Sequence, residues 1–130
     1  MYKSKRINIP IYDSFLEVCI CDDTKEFNKK NKCDVNVPDL FAFQTNLDKK
    51  INGHLRTVFF VVFNPKKNIS DADFVHESYH ATTELLDGLG SKPDIDNQEP
   101  HAYLQAWMFR QIQQTYKELM DSLNKCTKID

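Results

Sequence analysis

The chain has 130 residues, of which 41% are apolar and 12% aromatic, and its formal net charge is −2. A chain of this size and composition can bury one hydrophobic core without cross-links, which predicts a single domain over residues 1–130 and excludes a disordered tail. The near-neutral charge gives no electrostatic basis for binding nucleic acid or an anionic membrane.

The start of the chain is basic, but Pro10 and Asp13 interrupt the apolar stretch that follows. Because that stretch is too short and too polar for a signal peptide or a membrane span, we expect a cytoplasmic protein. Cys19 and Cys21 share one face of a predicted strand and are compatible with a metal pair. Burial as small core residues is the favoured interpretation, because free cysteine is often buried. In the cytoplasm all four cysteines should be reduced thiols: Cys19, Cys21, Cys33 and Cys126.

The N-terminal half has the pattern of β-structure. Alternating isoleucines over residues 7–11 predict a first strand, and the apolar residues 15–20 predict a second one. Thr24 is expected to cap a short helix over residues 25–31.

Two further strands are predicted between residues 41 and 63. Residues 41–47 alternate like a half-exposed strand, and Asn52-Gly53 is a strong turn signal. The next run, residues 57–63, is apolar on both sides. We therefore expect this strand to be covered on both faces, by helices or by a partner.

The second half predicts two helices. Ser70 and Asp73 have the spacing of a capping box, so the first helix should begin there and run to about Leu86. The glycines at 88 and 90 then end it, because glycine adopts the left-handed conformation of a helix terminus.

Asn97 is expected to cap a second, long helix that ends near Asn124 and carries Pro100 in its first turn. One stripe at helical spacing is predicted to be its apolar face, flanked by Tyr103 and Trp107: Ala102, Ala106, Phe109, Tyr116, Met120 and Leu123. Strands come first and helices last, so the predicted class is α+β, with a small, mostly antiparallel sheet followed by two main helices.

The most informative segment is His-Glu-Ser-Tyr-His at residues 76–80. Residues four positions apart lie on one face of a helix, so His76 and His80 can bind the same ion. Glu77 lies at the edge of that face, where it can take a proton from water activated by the metal. Zinc takes neutral nitrogen ligands at about 2.0–2.1 Å and keeps an open position in catalytic sites. The pattern therefore predicts one zinc ion, rather than a chance pair of surface histidines.

A strand, a loop, a helix with His-Glu-x-x-His, a glycine-containing turn and a second helix together resemble the catalytic core of the zincin metallopeptidases, over about residues 57–109. The resemblance implies metal-assisted hydrolysis of peptide bonds, with Glu77 as general base. The metzincin branch is excluded, because it needs Gly and His where this chain has Thr83 and Leu86. The chain is also similar, more loosely, to very small zincin-like proteins of bacterial and phage genomes.

The gluzincin branch of these enzymes takes its third ligand, a Glu, from the following helix. Here Glu99 opens the sequence Glu-Pro-His-Ala, 19 residues after His80. The resemblance thus implies that His76, His80 and Glu99 are the metal ligands. Asp94 and Asp96 in the preceding loop remain alternatives to Glu99.

Hydrolysis also needs a hydrogen-bond donor beside the metal, to stabilise the negative charge that develops on the substrate oxygen. Tyr103, His101 and Tyr79 are the candidates, and His101 is also an alternative third ligand. Asp73 or Glu84 could hold a ring N–H of a histidine, although a solvated helix face explains both residues equally well.

The expected partner is a peptide or protein substrate. In a chain too small for a second domain, the substrate could pair with an exposed edge strand, either residues 41–47 or the strand after them. Two other classes stay open: a catalytically silent binding protein stabilised by zinc, and an interaction protein with an accidental motif.

Overall fold

The computed structural model describes residues 1–128, with side chains described for residues 1–125. Strands come first and the two long helices last, so the α+β class and the small sheet with two main helices are confirmed. Within the described residues the elements are β1 (Tyr2–Ile9), β2 (Ser14–Cys21), α1 (Thr24–Asn31), β3 (Ala42–Ile51), β4 (His54–Phe63), α2 (Asp71–Gly88) and α3 (Glu99–Lys128).

The strands form one sheet in the order β1-β2-β4-β3. Both hairpins are antiparallel, and the predicted turn joins β3 to β4 with Asn52 and Gly53 at positive φ. β2 and β4 pair in parallel, with Cys19 opposite Val62. α1 and β3 together form the crossover that a parallel pair requires. Two of the three strand pairs are antiparallel, so the mostly antiparallel sheet is confirmed, with one parallel pair at its centre and β1 and β3 at its edges.

β4 is covered on both faces, as its two-sided apolar pattern predicts. Phe59, Val61 and Phe63 face α2 and α3, whereas Phe60 and Val62 face α1 and the loop after it. The molecule thus has three layers, with the sheet between α1 and its loop on one side and the two long helices on the other. α2 itself packs against β3, β4 and α3.

The cap of α1 differs from the prediction. The side chain of Asp23, not that of Thr24, accepts a hydrogen bond from the backbone N–H of Lys25, at 2.9 Å. The Thr24 hydroxyl instead donates to the carbonyl of Val37, at 2.7 Å, and so anchors the loop after α1. The prediction for Thr24 was wrong because a long-range contact takes its hydroxyl.

The start of α3 also lies later than predicted. The helix begins at Glu99, and the carbonyl of Gln98 accepts the first helical hydrogen bond, from Ala102, at 2.9 Å. Asn97 therefore precedes the helix rather than capping it.

α3 is rotated about its axis relative to the predicted stripe. Ala102 and Ala106 are exposed, and Phe109 and Tyr116 are only partly buried. The buried face lies about 100° around the helix axis from the predicted stripe, which is the angle between successive residues of a helix. Trp107, a predicted flank, packs against the core. The buried face consists of Leu104, Met108, Ile112, Thr115 and Leu119.

Cys19 and Cys21 are fully buried in the core between the sheet and α1, which confirms their interpretation as core residues. Both, and the partly buried Cys33, are free thiols. The side chain of Cys126 lies outside the described ones. None of the described helices combines the length and apolarity needed to cross a membrane.

Phe27 joins α1 to the sheet, so its truncation should show how much the fold depends on this layer. It is fully buried and packs edge-to-face on Phe43 and Phe60, with ring centroids 5.2 and 5.3 Å away. We expect Phe27→Ala to lower the free energy of unfolding by about 3–5 kcal/mol, through lost burial and a residual cavity. Urea denaturation followed by circular dichroism measures this, with Leu55→Ala (63% exposed) as the control, expected within about 0.5 kcal/mol of wild type. Equal losses in the two variants would contradict the three-layer packing.

Candidate metal site

The first turn of α2 fixes the position of the motif. Ser70 precedes the helix in an extended conformation, and its backbone N–H donates to the carboxylate of Asp73 at 2.8 Å. The predicted capping residues are thereby confirmed, and acidic residues at 71 and 73 complement the positive end of the helix dipole. Residues 76–80 then fall in the second and third turns, where helical spacing is regular.

The two histidines of the motif meet at their ring nitrogens. Nε2 of His76 lies 3.2 Å from Nε2 of His80, with the ring centroids 4.8 Å apart. Two ligands bound at about 2.0–2.1 Å to one tetrahedral zinc ion lie about 3.3 Å from each other. The pair is therefore spaced for a shared ion. Both residues are exposed, with 68% of the His76 side chain accessible, so the pair opens toward solvent.

Glu77 lies beside the pair but on the buried side of α2. Its side chain is only 5% exposed, and Oε1 lies 3.8 Å from Nε2 of His76. Oε2 is buried without a hydrogen-bond partner among the described residues. Burial raises the pKa of this carboxyl, while the neighbouring His76 opposes the shift. An unpaired buried carboxylate is costly unless something compensates it, so this oxygen is available to a bound ion or a polar ligand.

The residues of the motif could hold a metal ion. His76, Glu77 and His80 form a group whose ligand atoms all lie within 4.8 Å of one another. Imidazole nitrogens are preferred ligands of zinc, and a carboxylate beside them can serve as a further ligand or as a base toward metal-bound water. The 3.2 Å spacing of the nitrogens and the orphaned Oε2 of Glu77 are the two observations that support a metal ion at this site.

Glu99 is not part of this group. It is exposed in the first turn of α3. The helices are antiparallel, because Gln113 of α3 donates to Asp71 at the start of α2, at 3.1 Å, whereas the end of α2 and the start of α3 both border Tyr12. By helical rise, Glu99 lies about 21 Å from Gln113 along α3, whereas His80 lies about 14 Å from Asp71 along α2. Glu99 thus lies beyond His80 along the helix pair, and its role as a ligand stays a prediction.

The predicted ligands and donors in α3 and in the loop before it lie in different parts of the structure. Asp94 and Asp96 are exposed in the loop before α3, where Asp94 accepts a hydrogen bond from the backbone of Asp96. His101 shares the buried face of α3 with Met108, two turns on, and both of its ring nitrogens are buried without a hydrogen-bond partner in the described part of the chain. Tyr103 is 73% exposed and lines an apolar groove on another side of α3.

The two acidic residues considered as partners of the histidine rings bind elsewhere. Asp73 accepts the hydrogen bond from Ser70, and Glu84 accepts one from the side-chain amide of Asn46 on β3, at 3.5 Å. The amide of Gln44 donates to that of Asn46. Gln44 and Asn46 thus form a polar row on the edge strand, which contacts α2 at Glu84, one turn after His80. This row was not predicted from the sequence. The alternation of residues 41–47 is the signal that could have found it.

Comparison with protein-family models, curated proteins and solved structures found no match to this chain.

Zinc binding should depend on the histidine pair. We expect His76→Ala and His80→Ala each to lose zinc at equimolar metal, because removal of either nitrogen leaves a single imidazole beside a buried carboxylate. Elemental analysis after gel filtration measures the zinc content. His54→Ala is the matched control, because His54 is exposed on the β3–β4 hairpin and should leave the zinc content unchanged. Full zinc in His76→Ala would place the metal at another site.

The third ligand is tested by Glu99→Ala. The resemblance to gluzincins predicts that this variant binds zinc more weakly than wild type, as measured by competition with a chromophoric chelator. Asp94→Ala, Asp96→Ala and His101→Ala form the comparison set. Wild-type affinity in Glu99→Ala would remove Glu99 from the ligand set, and a loss in one of the other three would name its replacement.

Proposed function

We propose that this protein is a zinc-dependent hydrolase of peptide bonds, with His76 and His80 as metal ligands and Glu77 as general base. The observation that carries the proposal is the 3.2 Å approach of the two Nε2 atoms beside a buried carboxylate whose Oε2 has no hydrogen-bond partner among the described residues. Zinc in such a site acts as a Lewis acid that polarises the substrate carbonyl and makes water a better nucleophile.

Glu77 has the environment that a general base needs. Burial raises the pKa of its carboxyl, which makes the carboxylate a stronger proton acceptor than an exposed glutamate. The water oxygen adds to the carbonyl carbon as Glu77 takes the water's proton. Glu77 then gives this proton to the nitrogen of the amide, and the C–N bond breaks. One carboxylate thus serves both proton transfers and returns to its starting state.

The edge strand β3 provides a place for an extended peptide. β3 pairs with β4 on one side only, so its other edge has free backbone donors and acceptors. The contact of Asn46 with Glu84 holds this edge against α2, one turn after His80. A peptide that adds to β3 as a further strand would therefore pass near Glu84 of α2, one turn after His80. Of the two edges considered from the sequence, this position supports the first.

The position of the ligands favours an enzyme over a binding protein stabilised by zinc. A structural zinc ion contributes to stability by joining parts of the chain that would otherwise separate. His76 and His80 come from adjacent turns of one helix and are exposed, while both hydrophobic cores are built without them. An open, solvent-facing pair is the arrangement that a substrate can reach.

We place this activity in the cytoplasm. Cys19, Cys21 and Cys33 are free thiols. A reducing compartment keeps such cysteines unpaired, whereas secreted proteins of this size commonly cross-link them.

The role of Glu77 is tested by Glu77→Gln. The amide is nearly isosteric but cannot accept the proton, so we expect normal folding and zinc content with hydrolysis reduced by about 10²–10⁴-fold. Cleavage of a peptide library, read by mass spectrometry, measures the activity. Glu118→Gln is the matched control, since Glu118 is exposed on α3 and pairs with Lys5, and its activity should remain within a few-fold of wild type.

Three results would speak against this assignment. Loss of zinc in Glu77→Gln would make Glu77 a ligand rather than the base. Cleavage at the wild-type rate would give the proton transfer to another residue. A wild-type protein that binds zinc, cleaves no peptide and unfolds when zinc is chelated would be the zinc-stabilised binding protein.

A further inference from the structure

Tyr79 occupies the position on α2 that mirrors Glu77. Successive residues are about 100° apart around a helix, so the direction midway between His76 and His80 is about 80° from Glu77 on one side and about 80° from Tyr79 on the other. Glu77 is on the buried side and Tyr79 on the solvent side. A substrate held at the histidine pair would thus have a carboxylate on one flank and a phenol on the other.

The phenol of Tyr79 is accessible, and its hydroxyl can donate a hydrogen bond to a ligand. The residue is 51% exposed, and its ring lies against that of His80, with centroids 6.3 Å apart and planes inclined by 66°. Its backbone carbonyl accepts a hydrogen bond from Thr83, whereas its hydroxyl has no partner among the residues that the structure describes. Contact with the His80 ring keeps the phenol beside the histidine pair without occupying its hydroxyl.

The other two candidate donors are placed less well for this role. Tyr103 lies in the groove that Ile9, Pro10 and Trp107 line, beside the end of β1 and the turn that follows it, rather than beside the pair. The nitrogens of His101 are buried on the inner face of α3. Of the three, Tyr79 is the residue that the structure brings into ring contact with a residue of the pair.

We propose that Tyr79 is a catalytic residue whose hydroxyl donates a hydrogen bond to the carbonyl oxygen of the scissile amide, an inference that rests on the proposed hydrolase function. As the carbonyl carbon becomes tetrahedral, its oxygen gains negative charge, and a donor aimed at that oxygen stabilises the transition state more than the ground state. The tyrosine keeps its proton throughout, so the proton transfers of Glu77 are unchanged. Because Tyr79 is 51% exposed, a substrate can reach its hydroxyl from solvent.

Tyr79→Phe tests the proposal, because it removes the hydroxyl and keeps the ring against His80. We expect unchanged zinc content, a kcat lower by about 10²–10³-fold, as for loss of one oxyanion donor, and a KM close to wild type. Affinity for a peptide phosphonamidate, whose tetrahedral phosphoryl group carries the negative oxygen, should fall in the same variant by calorimetry. Tyr2→Phe is the matched control and should keep both kcat and affinity, because the hydroxyl of Tyr2 accepts a hydrogen bond from Asn31 on the other side of the sheet.

The outcomes separate this proposal from the hydrolase function. If wild type cleaves peptides and Tyr79→Phe does so equally well while binding the phosphonamidate as tightly, the donor is another group and the hydrolase stands. Loss of zinc in Tyr79→Phe would make the hydroxyl part of the metal site and overturn the proposed role. A wild-type protein that neither cleaves peptides nor binds the phosphonamidate overturns both the role of Tyr79 and the hydrolase.

Discussion

Burial of β4 on both of its faces is the constraint on which the rest of the structure depends. An apolar strand next to the centre of a sheet needs a layer on each side, because neither of its faces can be left in water at low cost. α1 and its loop supply one layer, and α2 and α3 supply the other. Since α2 follows β4 directly, it must turn its apolar side to the strand. That orientation places Glu77 at the margin of the core and leaves His76 and His80 in solvent.

The features predicted correctly from the sequence are those that a few neighbouring residues determine. The capping pair Ser70 and Asp73, the Asn52-Gly53 hairpin turn and the approach of His76 to His80 each depend on local backbone geometry. For such features the residue types and their spacing are sufficient information. The apolar run of β4 also predicts a global feature, a layer on each face of the sheet. Its residues 58–63 are apolar on both faces and all of them are buried.

The features that the sequence predicted wrongly, or did not predict, depend on contacts between distant parts of the chain. The hydroxyl of Thr24 donates to the distant carbonyl of Val37 and does not cap α1. Asp23 caps the helix instead. The parallel pairing of β2 with β4 requires β3 to lie outside β4, which no local pattern specifies. α3 has apolar side chains on two adjacent stripes, and only packing against the sheet decides which stripe is buried. The place of Glu99 relative to the histidines depends on that same docking of α3.

Because both histidines lie on one helix, the pair could be introduced into a helix of another protein. Their spacing comes from two turns of backbone hydrogen bonds, so a different protein with a capped helix of the same length could carry the pair by substitution of two residues. The burial of Glu77 cannot be moved in this way, since it belongs to the contact between α2 and the rest of the fold. A transplanted pair would therefore retain the geometry for a metal ion but lack the desolvated carboxylate beside it. In this fold, the spacing of the two histidines is a property of one segment, whereas the burial of the carboxylate beside them is a property of the whole domain.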